Sequence, residues 1–581
     1  MRSVISRRAG GGELPASGRR WRPTLVAALL AALSVATVIA SPAASARMRS
    51  HDAAAEQQAP VQTGHGLAPN TRFYVPPPPW AAIGQIGQLL ESGQPQSAQL
   101  IASMEAVPSA VWLDGETAAQ SAQGAQGELQ ANLDVARTIR RTLFLARWQR
   151  SVPVFVAYNI PGRDCSQYSA GGAPSDAAYQ SWINAISGAL GDAKAVVILE
   201  PDALANLPGY CGAAYASSFP NITDSTRIQD VAYGVTTLEQ DPDISLYLDA
   251  GNSAWQTTGN IAEALVAAGV QQAQGFVLNV SNYQYAANSV YYGTWVSECI
   301  AYATQLGGAT QAQAQGYAAT LDAADNNPSG AFANCPNQYW NGGPANNWSG
   351  TAMDRYGVWS ESASDPALNT AGIDSRFASM LGNVVPSTHF VIDTSRDGTG
   401  PNSMQGYAAA PYDQPASVIS ALATGNWCNP PGAGLGTRPT ADTAAVANSL
   451  DSYLPAASPL LDAYLWIKTP GQSDGQCDLA GATRGWQDYS AAGAGGGYTP
   501  AIASWPSSSS SDWSTFDPLW SLQTGTLVSD PAAGAWFPQQ ALQLAQDAVP
   551  ALSPNAWMPF GRDARHAWMP FGRDAGQQFR R

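Results

Sequence analysis

Val196-Val197-Ile198-Leu199-Glu200-Pro201-Asp202-Ala203-Leu204 opens with four apolar residues, three of them β-branched, and then stops at a carboxylate, a proline and a second carboxylate. A continuous apolar run has no polar face, so it suits a parallel strand covered on both sides. Polar side chains just past the carboxyl end of such a strand lie where α/β sheets place their chemistry. An acid on that rim with apolar surroundings can keep its proton near neutral pH, and Asp202 reads as a general acid. In an extended chain Glu200 and Asp202, two residues apart, share a face. Spacing alone leaves open which of them is the acid.

The same pattern recurs on either side. The run 110–113 ends at Asp114, and 154–158 runs into Asn159-Ile160-Pro161-Gly162-Arg163-Asp164-Cys165. Downstream, 244–248 ends at Asp249, 275–279 leads to Asn282-Tyr283, 389–392 ends at Asp393, and 463–467 ends at Lys468. Helical periodicity fills the stretch up to Arg150 and the stretches 176–190, 261–268 and 536–548. Alternating β and α units imply a parallel sheet, and seven such strands predict an α/β fold, a seven-stranded parallel β/α barrel. Two stretches interrupt the alternation: 285–388, rich in Asn, Gly and Trp, and 476–535, rich in Gly, Ser and Pro. Segments of that length are usually lids or binding walls, or are disordered; both are expected to be long rim loops, the cysteine pair favouring an ordered insertion for the first, while the second could also be a linker.

The chain has 581 residues, 45% hydrophobic and only 12% charged, as expected of a core-rich globular protein. Residues 1–46 read as a signal peptide: Arg2, Arg7, Arg8, Arg19, Arg20 and Arg22 precede an apolar run at 25–39 and the small-residue site Ala44-Ser45-Ala46. The apolar run is short for a membrane anchor, so export with cleavage is expected, giving a secreted protein with no membrane attachment afterwards. Residues 47–70 look like a flexible leader and 551–581 like a tail, in which Ala-Trp-Met-Pro-Phe-Gly-Arg-Asp-Ala occurs at 556–564 and 567–575. Without residues 1–46 the formal net charge falls from −15 to −20. Such an acidic surface argues against nucleic acid and anionic membrane and suits a neutral polymer. The 19 Trp and 22 Tyr offer flat faces for stacking on sugar rings, although most single Trp residues are better read as core. All six Cys lie in the exported part, where an even count implies disulfides. With four His and no closely spaced Cys pair, no metal site and no cofactor are expected. A monomer is expected.

The strand ends supply Asp164, Asp202, Asp249 and Asp393, with Asp474 and Lys468 close behind the last strand. Hydrolysis of a glycosidic bond needs one acid to protonate the leaving oxygen and a second carboxylate as nucleophile or to activate water. If Asp164 sits near Asp202, two like charges crowd and one pKa rises. Arg163 beside Asp164 also suits a structural ion pair that caps a loop.

Two long signatures carry a resemblance. Val156-Ala157-Tyr158-Asn159-Ile160-Pro161-Gly162-Arg163-Asp164-Cys165, followed by Gly171-Gly172, and Val197-Ile198-Leu199-Glu200-Pro201-Asp202-Ala203-Leu204 resemble the two signatures of the family-6 glycoside hydrolases, the inverting cellulases. Five shorter matches follow the family's order: Trp112-Leu113-Asp114, Leu248-Asp249-Ala250-Gly251-Asn252, Asn279-Val280-Ser281-Asn282-Tyr283, Asn426-Trp427-Cys428-Asn429, and Lys468-Thr469-Pro470-Gly471-Gln472-Ser473-Asp474-Gly475. The resemblance covers about residues 72–550 and places a catalytic domain at 71–550.

The resemblance implies a distorted seven-stranded β/α barrel that hydrolyses β-1,4-glucan, cellulose or a soluble form of it, with inversion. By position Asp202 takes the proton-donor role. Asp164 is the neighbouring carboxylate that raises the acid's pKa and helps order water, and Asp474 is the candidate base. Tyr158 would lie under the distorted sugar. Trp112, Trp255 and Trp427 match stacking platforms, and Asp114, Asn252, Asn282, Lys468 and Gln472 match hydrogen-bonding positions. Cys165–Cys211 and Cys428–Cys477 match the family's disulfides, and Cys299–Cys335 would be a third. There are departures: Gln472 stands where Glu is usual, Ala170 where a water-binding Ser is common, and Asn252 where many members have His. Exo-acting members roof the cleft with long rim loops, so the two long stretches favour release of cellobiose from the non-reducing end over internal cutting. A non-catalytic glucan-binding protein would predict damaged carboxylates, and Asp164, Asp202 and Asp474 are intact.

Overall fold

The computed structural model describes residues 66–115, 125–166, 169–318, 328–338, 370–400, 428–430, 432–449, 458–476 and 530–552. The expected signal peptide, most of the leader, nearly all of the tail, Trp427 and Cys477 lie outside the described residues.

Seven strands form one parallel sheet in sequence order: β1 Val111–Leu113, β2 Val154–Ala157, β3 Ala195–Leu199, β4 Ile244–Asp249, β5 Gly275–Leu278, β6 His389–Asp393 and β7 Leu461–Leu465. β2 to β5 are buried along their whole length, as unbroken apolar runs require. Side chains alternate between two cores. Val154, Val156, Val196, Ile198, Tyr247, Val277, Val391, Ala463 and Leu465 pack together inside the curled sheet. Phe155, Ala157, Val197, Leu199, Leu246, Leu248, Phe276 and Ile392 pack outward against helices. The two edges meet through Ala110 N–H to Trp466 O at 2.9 Å and the Trp112 indole N–H to Ile467 O at 2.8 Å. This is the distorted seven-stranded barrel expected from the sequence.

The helices are α1 Trp80–Glu91, α2 Pro95–Met104, α3 Ala125–Gln149, α4 Asp176–Leu190, α5 Gly212–Ser218, α6 Asp224–Leu238, α7 Thr258–Ala267, α8 Ala286–Ala301, α9 Gln311–Ala318, α10 Thr370–Leu381, α11 Thr443–Ser449 and α12 Pro538–Gln546. Local chemistry sets several starts: Ser175 accepts the Ala178 N–H at the head of α4, and Thr223 and Thr226 form a capping box on α6.

Two expectations change. The described part of 285–388 is largely helical crossover rather than rim loop: α8 packs on β6, α7 and α10, and the Cys299–Cys335 disulfide ties α8 to the turn before Pro336. The leader's end is also ordered, since Leu67 is buried in the inner core. At the other end, residues 530–537 return to the rim, where Ala535 O accepts the Ser473 N–H and Gly471 O accepts the Phe537 N–H. α12 then docks on α2 and beside Trp466, as its apolar face demands.

Candidate active site

The polar residues that end the strands converge on one rim, and most of the turns that carry them are left-handed. Asp164, Cys165, Glu200, Asp202, Asn279, Ser281 and Asn429 all have positive φ. Non-glycine residues held in that region cost free energy, and such positions cluster where a side chain must be aimed.

Glu200 and Asp202 send their side chains to different places. Glu200 is 1% exposed, and its carboxylate accepts the N–H groups of Asn159 (3.0 Å) and Ile160 (3.0 Å). It anchors the loop after β2. The extended-chain argument fails because φ is 50° at Glu200 and 65° at Asp202, so the chain has left the strand before either residue. Asp202 is half-buried, and among the described residues nothing hydrogen-bonds its carboxyl. Burial, with the charges of Asp164 and Asp474 adding to it and Lys468 opposing, pushes its pKa up to about 7.

Asp164 sits opposite on the loop after β2. Its Oδ2 accepts the Ser169 N–H at 2.6 Å. Burial raises its pKa to about 6 against the pull of that hydrogen bond and of Arg163. Arg163 is more than an ion-pair partner. It donates to the carbonyls of Ser169, Asp114 and Tyr158, and its guanidinium lies 4.4 Å from the Tyr158 ring centre. The Cys165–Cys211 disulfide fixes the far end of the loop. Tyr158 meets Trp112 edge-on at 5.4 Å, and the Lys468 ammonium lies 5.9 Å from the Trp112 ring centre.

Asp474 is a different kind of carboxylate. It accepts from Arg396 Nη1 at 2.9 Å, from the Tyr283 hydroxyl at 2.9 Å and from the Asn429 N–H at 3.0 Å, and Lys468 Nζ lies 3.3 Å away. Burial alone would raise its pKa, but Arg396, Lys468 and these hydrogen bonds win and hold it below the usual carboxylate value. Asp249 is the reverse. Its Oδ1 accepts the N–H groups of Asp202 and Gly251. Its Oδ2 is buried without a partner among the described residues, and burial plus the Asp202 charge push its pKa well above the ordinary carboxylate value.

Residues 68–505 match the family model for glycosyl hydrolases family 6. This chain belongs to glycosyl hydrolase family 6. The match takes in all seven strands and both signature loops. The chain is 29% identical over 336 residues to endoglucanase 1 of Streptomyces halstedii, covering 58% of this chain and 65% of that protein, under two thirds of its length. It is 26% identical over 479 residues to "Probable 1,4-beta-D-glucan cellobiohydrolase C" of Aspergillus niger, covering 79% of this chain and 72% of that one. The solved structure of the endoglucanase Cel6 from Mycobacterium tuberculosis aligns over 82% of this chain and 97% of its own, with 24% identity and a TM-score of 0.45.

Of the positions that the family-6 resemblance singles out, Asp164, Asp202, Asp474, Lys468, Tyr158 and Trp112 form one cluster. Asp114 is exposed at the end of β1. Asn252 and the half-buried Trp255 ride on the loop after β4, where Asn252 Oδ1 accepts the Ala254 N–H. The Asn282 side chain accepts the N–H of Tyr283, and Gln472 is half-buried on the Asp474 loop. Cys428 is disulfide-bonded; Cys477 lies outside the described residues. The sequence reading missed Arg396 and quoted Tyr283 in a family match without giving it a role. The signal for Arg396 was present: an arginine three residues past the strand-ending Asp393, 0% exposed in the fold. Among the described residues, no group of three or more His, Cys, Asp or Glu side chains could hold a metal ion.

Proposed function

We propose that this family-6 chain hydrolyses the β-1,4-glucosidic bonds of cellulose with inversion. The observation that carries the reading is the asymmetry between two carboxyls on one rim: that of Asp202, which has no hydrogen-bond partner among the described residues and a pKa raised to about 7, and that of Asp474, held ionised by Arg396 and Lys468. Asp202 protonates the leaving oxygen. Asp164 keeps that proton in place by its charge and orients water. Asp474, held ionised by these donors, is the candidate base that takes the proton of the attacking water, and its fixed negative charge also favours the developing oxocarbenium centre. Tyr158 and Trp112 form the floor under the sugar, and Asp114, Asn252, Trp255, Asn282, Lys468 and Gln472 bind its hydroxyls and faces.

Release of cellobiose from the non-reducing end is the mode we favour, now resting on the sequence added at 339–369 and 477–529, since α8 to α10 belong to the outer layer. Internal cutting is the second reading, and the similarity to an endoglucanase favours it. Secretion and a monomeric state complete the proposal. Asp202→Ala is expected to lose at least about 1,000-fold in hydrolysis of a soluble β-glucan while still binding it. Unchanged hydrolysis would remove Asp202 from its role. A rapid fall in polymer viscosity with little cellobiose would move the wild-type enzyme to the endo reading.

A further inference from the structure

Asp393 ends β6 inside the rim and is 1% exposed. Its Oδ1 accepts the N–H groups of Ser395 at 2.9 Å and Ile467 at 3.1 Å. Its Oδ2 accepts those of Lys468 at 2.9 Å and Ser281 at 3.2 Å. Its own backbone carbonyl accepts the Asn279 side-chain amide at 2.9 Å. Only the Ser395 contact is local. The other three amides come from the loop after β5 and the loop after β7, so one side chain holds three consecutive rim loops.

Those loops carry the cations and polar groups of the cleft. Ser281 precedes Asn282, and its carbonyl accepts from Arg396 Nη2. Arg396 follows Ser395 and pairs with Asp474. Lys468 follows Ile467 and lies against Asp474 and the Trp112 face. Burying a carboxylate is costly unless its oxygens are filled. Here burial raises the carboxyl's pKa, and the four N–H donors that fill its oxygens oppose that rise and favour the charged form. We propose that Asp393 is a positioning residue for this active site: its carboxylate joins the loops after β5, β6 and β7, and thereby sets where Asn282, Arg396 and Lys468 meet the substrate. Burial lowers the Lys468 pKa, and the Asp393 charge adds to that of Asp474 in opposing it, as it does at Arg396. Asp393 acts through these residues and touches no sugar.

The test is Asp393→Asn in the full chain. The amide keeps the shape but turns one acceptor oxygen into a donor that faces two N–H groups. The expected result is a folded variant in which the amides of Ser281, Ile467 and Lys468 lose hydrogen-exchange protection together, by about ten-fold or more. kcat/KM on a soluble cello-oligosaccharide falls about 100-fold, mainly through KM. In a Lys468→Met background the same substitution costs clearly less than its single-variant loss, because the part that runs through Lys468 is already gone while the part through Asn282 and Arg396 remains. A folded variant with kcat/KM within about three-fold of wild type, or losses that multiply fully in the double variant, overturns the proposal. If Asp393→Asn does not fold, the wild-type protein decides: protection factors of the Ser281, Ile467 and Lys468 amides within about ten-fold of one another support a single joined unit, and a wider spread overturns it. The kinetic arm rests on the glucan-hydrolase reading, whereas the exchange arm does not, so failure of one leaves the other readable.

Discussion

At Asp202, burial and the Asp164 charge act in the same direction, and Lys468 opposes them. Burial contributes most, so Asp202 keeps a raised pKa even without its neighbour. Asp164→Asn removes the second contribution. The acid must be protonated to work, so its alkaline limit follows its pKa. With the Asp164 charge gone that pKa falls, and the alkaline limb of kcat/KM is expected to move to lower pH, read from a pH–rate profile. A limb that stays in place or moves upward contradicts the assignment. At Asp474 the ion pairs with Arg396 and Lys468 hold the charge. Arg396→Met strands a buried carboxylate beside a single cation, and we expect kcat to fall about 100-fold or more. Glu200 marks where residue-level reading runs out. It shares the signature with Asp202, and only the left-handed turn sends it to the Asn159 and Ile160 amides. A two-residue spacing argument assumes a strand that has already ended.

The strands were legible because each is an apolar run closed by a polar residue, and the structure reproduces all seven within two or three residues of their expected limits. The crossover after β5 was not. α8 is buried on nearly every side, including Tyr292, Trp295 and Val296, so it has no polar stripe from which to read a helical period. Its composition of Asn, Tyr, Trp and Gly mimics a loop. Two substitutions test these elements. Gly275 starts β5 where an added Cβ would lie 1.8 Å from His389 O. Gly275→Ala is expected to lower unfolding free energy by about 1–3 kcal/mol in urea titration, because the β5–β6 ladder must part. Replacing both Cys299 and Cys335 by Ser opens a loop spanning 36 positions in sequence. It should cost about 2–4 kcal/mol of stability with kcat nearly unchanged, since the bridge lies in the outer layer.

Among the described residues, burial pushes several acids up further than neighbouring cations pull them down. Burial raises Glu200, Glu239 and Asp230 to about 7, and Glu105 and Glu298 to about 8. Each of these binds a proton more tightly in the fold than in the unfolded chain. Their stabilising contribution is therefore complete below the ordinary carboxylate pKa and is lost as pH rises through about 7 to 8. Asp474, with its lowered pKa, works the other way but is a single group. The formal net charge of −15 adds self-repulsion in the same direction as pH rises. Melting temperature is expected to be several degrees higher near pH 5 than near pH 8 by calorimetry, and a rise across that interval would contradict this balance. The proposed function rests on one arrangement, in which Asp202, with its raised pKa, and Asp474, with its lowered one, meet at the barrel's rim. The most direct test compares Asp202→Ala on two substrates: an unmodified cello-oligosaccharide, whose sugar leaving group needs a proton, and an aryl β-cellobioside with a strongly acidic phenol, which departs without one. The account predicts a loss of at least about 1,000-fold on the first and less than about ten-fold on the second. Equal losses on both, or no loss on either, would contradict it.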